Sequence, residues 1–172
     1  MNVGELAAYV ASHLRKRDID VVLSGGSCVS IYSRGEYVSA DLDFIEMRFA
    51  TRRKLTEAML EIGFAERDRY YRHPESELLV EFPAGPLAVG KEPVKQIDEL
   101  EYPTGTLRII SPTDCVKDRL SAYYHWKDRQ SLEQAVLVAR SQPIDIKEVK
   151  RWSASEGMSD EYRRIASKLS SP

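Results

Sequence analysis

Residues 23–45 read LSGGSCVSIYSRGEYVSADLDFI, and this stretch decides the predicted fold. The apolar run Asp20–Leu23 predicts a short buried strand that ends at the glycine pair Gly25–Gly26. Apolar residues within Ser27–Ser33 favour a short helix, and Asp41–Met47 alternates between polar and apolar side chains as a strand does. The stretch therefore predicts a strand, a glycine turn, a helix and a second strand in succession.

Two aspartates, Asp41 and Asp43, lie one residue apart on the second predicted strand. Side chains alternate along a strand, so both carboxylates point to the same face. Two carboxylates this close repel one another unless water screens them or a cation lies between them. Mg²⁺ prefers oxygen ligands of this kind, together with substrate phosphates. Taken alone, the pair is more typical of an exposed strand edge than of a metal site.

The glycine turn strengthens the metal-site hypothesis. Gly25, Gly26 and Ser27 stand between an apolar strand and a helix. In that geometry the backbone N–H groups at the helix N-terminus can bind phosphate oxygens. Glycine permits both the turn and the close approach of a ligand. A glycine pair alone indicates only a turn, but its combination with two aspartates on the next strand favours a phosphate and metal site.

A third acidic residue, Glu81, occurs in the otherwise apolar run LLVEF of residues 78–82. A buried glutamate needs a partner or a metal ion. Glu81 is therefore either a third metal ligand or an edge residue that faces solvent, and the local pattern favours neither interpretation.

The composition limits the class of protein. The chain has 172 residues, a net charge of −2 and a pI near 6.0, so it does not have the uniformly basic surface of a general nucleic-acid binder. Cys28 and Cys115 lack neighbouring metal-ligand residues and read as buried small side chains in a reducing compartment. The N-terminus does not resemble a signal peptide and no apolar run is long enough to span a bilayer, so we expect a cytoplasmic protein.

Periodicity predicts the remaining elements and an α/β or α+β fold class. We expect a core over residues 1–110 and a helical region over residues 111–172, because strands cease after Ile110 and Ser111–Pro112 begins a helix. The predicted helices cover Glu5–Arg17, Thr51–Gly63, Pro112–Trp126, Gln130–Arg140, Ile146–Ala154 and Ser159–Leu169. The predicted strands cover Phe64–Arg72 and Glu77–Phe82, joined as a hairpin, and Leu107–Ile110, while Pro83–Glu101 is expected to be loop.

The run GGSCVSIYSRGEYVSADLDF resembles the signature of the nucleotidyltransferase superfamily, and within it the AbiEii-type minimal nucleotidyltransferases, which are common as toxins of toxin–antitoxin pairs. The resemblance covers roughly Val21–Ala139. In the helical half, Lys117 and the cluster Lys127–Arg129 match family positions, but Ser131 stands where a second aspartate is often found. The residues matching the signature itself are Gly25, Gly26, Ser27, Arg34, Ser39, Asp41, Asp43 and Phe44.

The resemblance implies a mixed sheet flanked by helices and the transfer of a nucleoside monophosphate from a nucleoside triphosphate, with Mg²⁺ or Mn²⁺. It implies that Asp41, Asp43 and Glu81 are catalytic metal ligands and that Lys117 and Asp128 are further catalytic residues. Asp128 is at least as well explained as a surface acid beside Arg129. The resemblance implies nucleotide or phosphate binding by Gly25, Gly26, Ser27, Arg34, Lys117 and Arg129.

Three interpretations of the function stay open from the sequence. The first is a nucleotidyltransferase that modifies RNA, such as a tRNA end, or a protein, and that has an antitoxin protein as its partner. The second is an adenylyltransferase that modifies a small molecule such as an antibiotic. The third is a module of the same fold that binds a nucleotide or a partner without catalysis; the presence of all three acidic residues favours activity over this module.

Overall fold

A computed structural model describes residues 1–170 of the chain, and these residues form seven helices and nine strands. The helices are α1 (Val3–Arg15), α2 (Gly25–Tyr32), α3 (Arg52–Glu61), α4 (Pro112–Trp126), α5 (Arg129–Ser141), α6 (Ile146–Ser155) and α7 (Ser159–Ser170). The strands are β1 (Val21–Ser24), β2 (Asp41–Glu46), β3 (Ala65–Arg67), β4 (Tyr70–Arg72), β5 (Leu79–Glu81), β6 (Ala88–Val89), β7 (Glu92–Pro93), β8 (Ile97–Tyr102) and β9 (Gly105–Ile110). None of these helices is long and apolar enough to cross a membrane.

Seven of the strands form one mixed sheet in the order β3-β4-β5-β2-β1-β9-β8. Strand β1 is antiparallel to β2 and parallel to β9, and β2 is parallel to β5. Strands β6 and β7 form a separate two-stranded hairpin. The predicted fold class, a mixed sheet flanked by helices, is confirmed.

Strand register determines which side chains share a face of the sheet. On one face, Leu23 lies opposite Phe44, and the Phe44 ring stacks on Phe82 with the ring centroids 6.0 Å apart. Leu23 and Phe44 are fully buried and belong to the main hydrophobic core. On the other face, Ser24 lies opposite Asp43, which is also the register partner of Glu81. The core therefore fixes the strands that carry the acidic residues.

The predicted strand Phe64–Arg72 is wrong in one respect, because the chain turns back in its middle. Residues Ala65–Arg67 and Tyr70–Arg72 pair with one another as β3 and β4. Asp68, in the turn between them, has a φ of 58°, a conformation that aspartate tolerates better than most residues. The predicted pairing with the next strand holds, since β4 is antiparallel to β5.

The prediction that Pro83–Glu101 is loop is also wrong in part. The segment contains the β6–β7 hairpin and most of the edge strand Ile97–Tyr102, which pairs antiparallel with β9 along its whole length. The sequence of this edge strand, IDELEY, carries three acidic residues, so its apolar signal is weak. An edge strand needs less apolar surface than a central strand because it pairs on one side only.

The predicted helices of the C-terminal half are confirmed within the described residues. Each observed helix begins and ends within two residues of its predicted bounds. Helix α6 holds the β6–β7 hairpin: the Trp152 indole N–H donates to the Val89 carbonyl (3.1 Å), and the Lys91 backbone N–H donates to Glu156 (2.7 Å). Arg151 donates two hydrogen bonds to the Glu92 carboxylate, at 3.0 and 2.7 Å. The division into a core of residues 1–110 and a helical region of residues 111–172 stays a prediction.

Trp152 supplies the first test, because it is fully buried and hydrogen-bonded to the hairpin. We expect Trp152→Phe to lower the free energy of unfolding by about 2 kcal/mol through lost contacts and a lost hydrogen bond. In a chain of this length the melting temperature would then fall by roughly 4–8 °C in a calorimetric scan. The matched control is Trp126→Phe, since Trp126 is 81% exposed; an equal fall in both variants would contradict the described role of Trp152.

Candidate active site

Asp41, Asp43 and Glu81 form an acidic cluster at the middle of the sheet. Each offers one carboxylate oxygen, and these oxygens all lie within 4.8 Å of one another. Asp41 and Asp43 share a face of β2, and Glu81 reaches them because it is the register partner of Asp43 on the parallel strand β5. The structure thus brings together the three residues predicted as metal ligands.

The cluster is electrostatically strained without a cation. Burial, together with the negative charges of Asp41 and Glu81, raises the pKa of Asp43 to about 7. An oxygen-only donor set of three carboxylates suits a hard divalent cation such as Mg²⁺ or Mn²⁺. A cation between the carboxylates would remove their mutual repulsion, so the residues present fit the divalent metal that the sequence resemblance implies.

Neighbouring side chains orient the outer two carboxylates. The Ser39 hydroxyl donates a hydrogen bond to Asp41 Oδ1 (3.2 Å). Arg69 Nε lies 3.4 Å from Glu81 Oε1, and the Arg69 side chain is mostly exposed. Ser39 is buried, so its hydroxyl donates to Asp41 from a packed position, whereas the ion pair of the exposed Arg69 with Glu81 is weak because solvent screens it.

The glycine turn packs directly against the cluster. Gly25 has a φ of +69°, and a Cβ atom added there would lie 2.3 Å from Asp43 Oδ2. A Cβ atom added at Gly26 would lie 3.3 Å from the Ser39 hydroxyl. The helix N-cap Ser24 makes no side-chain capping bond, and its hydroxyl instead donates to the Asp43 carbonyl (3.3 Å). Glycine at position 25 therefore lets the first turn of α2 lie beside the carboxylates.

Two other residues predicted to bind phosphate have different surroundings. The Ser27 side chain is fully buried and donates to the Ser24 carbonyl (3.1 Å), so only its backbone N–H is left for a ligand. Arg34 is exposed and follows the C-terminal end of α2, roughly 12 Å along the helix from Gly25. The structure does not bring Arg34 to the acidic cluster.

The residues predicted in the helical half have local partners. Lys117 is buried and lies between Glu148 (2.9 Å) and Asp114 (3.4 Å). Asp128 is the N-cap of α5 and accepts hydrogen bonds from the Gln130 backbone and from the hydroxyl of Ser131. The serine that departs from the family pattern is thus part of this cap.

Arg129 is exposed at the start of α5 and lines a groove between α5 and α7. Neither it nor the Lys117 and Asp128 side chains contribute to the acidic cluster. Their predicted roles in catalysis and phosphate binding stay predictions.

Sequence reasoning missed Arg119 and Asp118, which α4 brings close to Asp43. The positive charge of Arg119 lowers the pKa of Asp43, opposing the larger effect of burial. Arg119 donates to Asp118 Oδ2 through Nε (3.0 Å) and Nη2 (2.5 Å), and to the buried Gln134 through Nη1 (3.2 Å). The sequence does contain a signal for these two residues. Asp118 and Arg119 are a charged pair that stands between Cys115–Val116 and Leu120, which are buried positions of the same helix.

Two cavities adjoin the acidic cluster. The first, named the Asp43 cavity, has a volume of about 290 Å³ and is lined by Ser24, Gly25, Asp43, Asp118, Arg119 and the segment of residues 83–94. The second, named the Glu81 cavity, has a volume of about 360 Å³ and is lined by Glu81, Arg69, Arg52, Phe49, Tyr71 and Phe82. The Asp43 cavity lies on the face of the sheet that carries the cluster, whereas Tyr71 and Phe82, which line the Glu81 cavity, belong to the opposite face.

Comparison with known proteins supports the fold at low sequence identity. No family model matches the chain, and no curated protein is significantly similar to it. The chain is similar in structure to an antigenic nucleotidyltransferase-like protein from Paracoccidioides brasiliensis, with a TM-score of 0.66 and 15% identity over 97% of this chain and 91% of that one.

It is also similar to the antibiotic-resistance factor ANT(2″)-Ia in solution, with a TM-score of 0.53 and 15% identity over 97% of this chain and 94% of that one. The crystal structure of ANT(2″)-Ia in complex with adenylyl-2″-tobramycin gives a TM-score of 0.54 and 14% identity over 90% of this chain and 95% of that one. The chain thus has a nucleotidyltransferase-like fold.

The raised pKa of Asp43 predicts a pH-dependent stability in metal-free protein. The folded-state pKa of about 7 lies above the ordinary value of 3.8, so the folded protein keeps a proton that the unfolded chain releases. This contribution to stability is fully present below about pH 4 and is lost as the pH rises through about 7.

We therefore expect Asp43→Asn to raise the melting temperature by roughly 3–6 °C at about pH 8 with chelator, after allowance for partial solvent screening, and to have little effect near pH 4. The control is Asp68→Asn in the exposed β3–β4 turn, which should melt like the wild type at both pH values. A destabilised Asp43→Asn variant near pH 8 would contradict the described repulsion.

The position of Gly25 beside Asp43 predicts that its substitution affects metal binding as well as stability. Gly25 and Gly35 both have positive φ, but only at Gly25 does an added Cβ atom meet a neighbour, Asp43. Gly25→Ala and Gly35→Ala should each cost about 1–2 kcal/mol in backbone strain. Only Gly25→Ala should also weaken Mn²⁺ binding, by about tenfold or more in a titration calorimeter, and equal Mn²⁺ affinities in the two variants would contradict this geometry.

Proposed function

We propose that this protein is a metal-dependent nucleotidyltransferase that moves a nucleoside monophosphate from a nucleoside triphosphate to a hydroxyl group. The observation that carries the proposal is the cluster of Asp41, Asp43 and Glu81 beside a glycine turn, on a nucleotidyltransferase-like fold. Three carboxylates in this arrangement suit a divalent cation and the phosphates it accompanies.

The reaction would be an in-line displacement at the α-phosphorus. A bond forms between the acceptor oxygen and the α-phosphorus, and the bond from that phosphorus to the oxygen bridging to the β-phosphate breaks. Pyrophosphate leaves, and the proton of the acceptor hydroxyl passes to a carboxylate or to solvent. Divalent cations bound to the cluster would supply charge stabilisation for the attacking and leaving oxygens.

Asp41, Asp43 and Glu81 would hold the cations. Glu81 has a second task in this proposal: its carboxylate lies in the cluster, so it would accept the proton of an acceptor hydroxyl bound beside the cations. The exposed Arg69, now beside Glu81, would move aside as the acceptor enters.

Two elements would bind the triphosphate. The backbone N–H groups of Gly25, Gly26 and Ser27 lie at the positive end of the α2 dipole beside Asp43. Arg119 uses three of its five N–H donors on Asp118 and Gln134, so two are left for phosphate oxygens in the Asp43 cavity. In this proposal Arg119 takes the phosphate-neutralising role that the sequence suggested for Lys117.

A small-molecule acceptor is a second candidate within the same reaction class. It is favoured by the similarity to ANT(2″)-Ia along nearly its full length, since that protein is seen in complex with adenylyl-2″-tobramycin. An RNA, tRNA or protein acceptor, an AbiEii-type toxin role and an antitoxin partner remain hypotheses from the sequence motif.

The proposal is tested by incubating the purified protein with each α-labelled nucleoside triphosphate and Mg²⁺ or Mn²⁺. Three acceptor pools are supplied in parallel: total RNA, a protein extract and a panel of aminoglycosides. We expect labelled product in one pool, and Asp41→Asn and Asp43→Asn should each lower the rate by at least 10³-fold, because a catalytic metal would be lost.

The matched control is Asp98→Asn on the edge strand β8, remote in the sheet order from β2. It should retain the wild-type rate. If the wild type binds nucleoside triphosphates with Mn²⁺ but labels none of the pools, the non-catalytic nucleotide-binding module would replace the enzyme; absence of both binding and transfer would overturn the proposal.

A further inference from the structure

The loop between α2 and β2, residues 33–40, is tied to α2 by two hydrogen bonds. The Ser39 backbone N–H donates to the Ser30 hydroxyl (2.7 Å), and the Tyr37 backbone N–H donates to the Ser33 hydroxyl (3.3 Å). Ser30 and Ser33 are buried at the C-terminal end of α2. The Tyr37 ring is half-buried and packs against the hydrophobic core. The loop therefore holds Tyr37 in place before a ligand binds.

The same loop places two hydroxyl groups beside Gly26, in the first turn of α2. A Cβ atom added at Gly26 would lie 3.3 Å from the Ser39 hydroxyl oxygen and 3.5 Å from the Tyr37 hydroxyl oxygen. Unlike Gly25, Gly26 does not have a positive φ, so the backbone conformation does not require glycine there. The missing side chain instead leaves a space, named the Gly26 space, next to the N–H groups at the positive end of the helix.

The two hydroxyl groups differ in what they can offer a ligand. The Ser39 hydroxyl donates its proton to Asp41 Oδ1 (3.2 Å), so it has no second proton to donate. Among the described residues, none is hydrogen-bonded to the Tyr37 hydroxyl, whose proton can therefore be donated to a ligand. Phosphate oxygens only accept hydrogen bonds, and a bond to a charged oxygen is roughly twice as strong as one between neutral groups. The donors around the Gly26 space thus suit a phosphate group.

We propose that Tyr37 binds the triphosphate, and that its hydroxyl donates a hydrogen bond to an oxygen of a phosphate group held at the first turn of α2. This inference rests on the proposed function, and Tyr37 is not among the residues that match the family signature. The two glycines then have separate tasks. Gly25 lets the turn lie beside Asp43, and Gly26 leaves room for a phosphate beside Tyr37.

The test measures dissociation constants by titration calorimetry for Mn²⁺ alone, and for inorganic triphosphate and α,β-methylene ATP in the presence of Mn²⁺. We expect Tyr37→Phe to weaken binding of both phosphate ligands by about tenfold or more, because a hydrogen bond to a charged group is lost. The Mn²⁺ affinity and the melting temperature should stay at the wild-type values, since the ring still packs against the core. The matched control is Tyr9→Phe on α1, an exposed tyrosine that should bind all three ligands as the wild type does.

Unchanged binding of inorganic triphosphate in Tyr37→Phe would overturn the inference and leave the proposed function standing. A loss confined to α,β-methylene ATP would also overturn it, because the hydroxyl would then contact the nucleoside rather than the phosphates. An equal loss of Mn²⁺ affinity would overturn it as well, since Tyr37 would then act through the carboxylates. Failure of the wild type to bind either phosphate ligand would overturn the proposed function together with the inference.

A second variant tests whether the phosphate occupies the Gly26 space. Gly26→Ala adds a methyl group there and should weaken binding of inorganic triphosphate by about tenfold or more. In the double variant Gly26→Ala/Tyr37→Phe, removal of the hydroxyl should cause little further loss, because both substitutions act on the same phosphate. Losses that multiply would mean that the two residues act independently, and that result would overturn the inference.

Discussion

Mutual repulsion among three carboxylates is the constraint around which this structure is arranged. Asp41, Asp43 and Glu81 place oxygens within 4.8 Å of one another, and burial together with their repulsion raises the pKa of Asp43 to about 7. The strands that carry them are kept together by the opposite face of the sheet, where residues such as Leu23 and Phe44 are fully buried. Hydrophobic burial thus offsets a local electrostatic cost that a divalent cation would relieve.

Neighbouring elements place dipolar and charged groups beside this cluster. The glycine turn brings the positive end of α2 against Asp43, and α4 adds Arg119, which is fixed by Asp118 and Gln134. The Asp43 cavity opens beside the carboxylates. A transfer reaction needs a donor and an acceptor that meet at one charged centre, and a carboxylate cluster next to a helix N-terminus and a cavity supports the proposed nucleotidyl transfer.

Local patterns predicted those features that depend on neighbouring residues. The period of two along β2 placed Asp41 and Asp43 on one face, and the glycine pair indicated a turn at the end of β1. Glu81 could not be assigned in this way, because its approach to Asp43 depends on the pairing of β2 with β5, about forty residues apart in sequence.

The same limit explains why the sequence did not indicate Arg119 as a site residue. Lys117 and Arg119 are two positions apart on α4 and so point in different directions, and only packing of the helix decides which of them faces the cluster. The sequence does not indicate the edge strand Ile97–Tyr102, because its acidic residues weaken the alternation of apolar and polar side chains that marks a half-exposed strand.

The central claim is that the three carboxylates bind one or more divalent cations together with a triphosphate. It is tested most directly by anomalous diffraction from crystals grown with Mn²⁺ and α,β-methylene ATP. The account predicts an anomalous peak within about 2.0–2.3 Å of oxygens of Asp41 and Asp43 and of the triphosphate, with Glu81 in the same cluster. A bound nucleotide with no anomalous peak at these carboxylates, or with Mn²⁺ bound elsewhere in the chain, would contradict it.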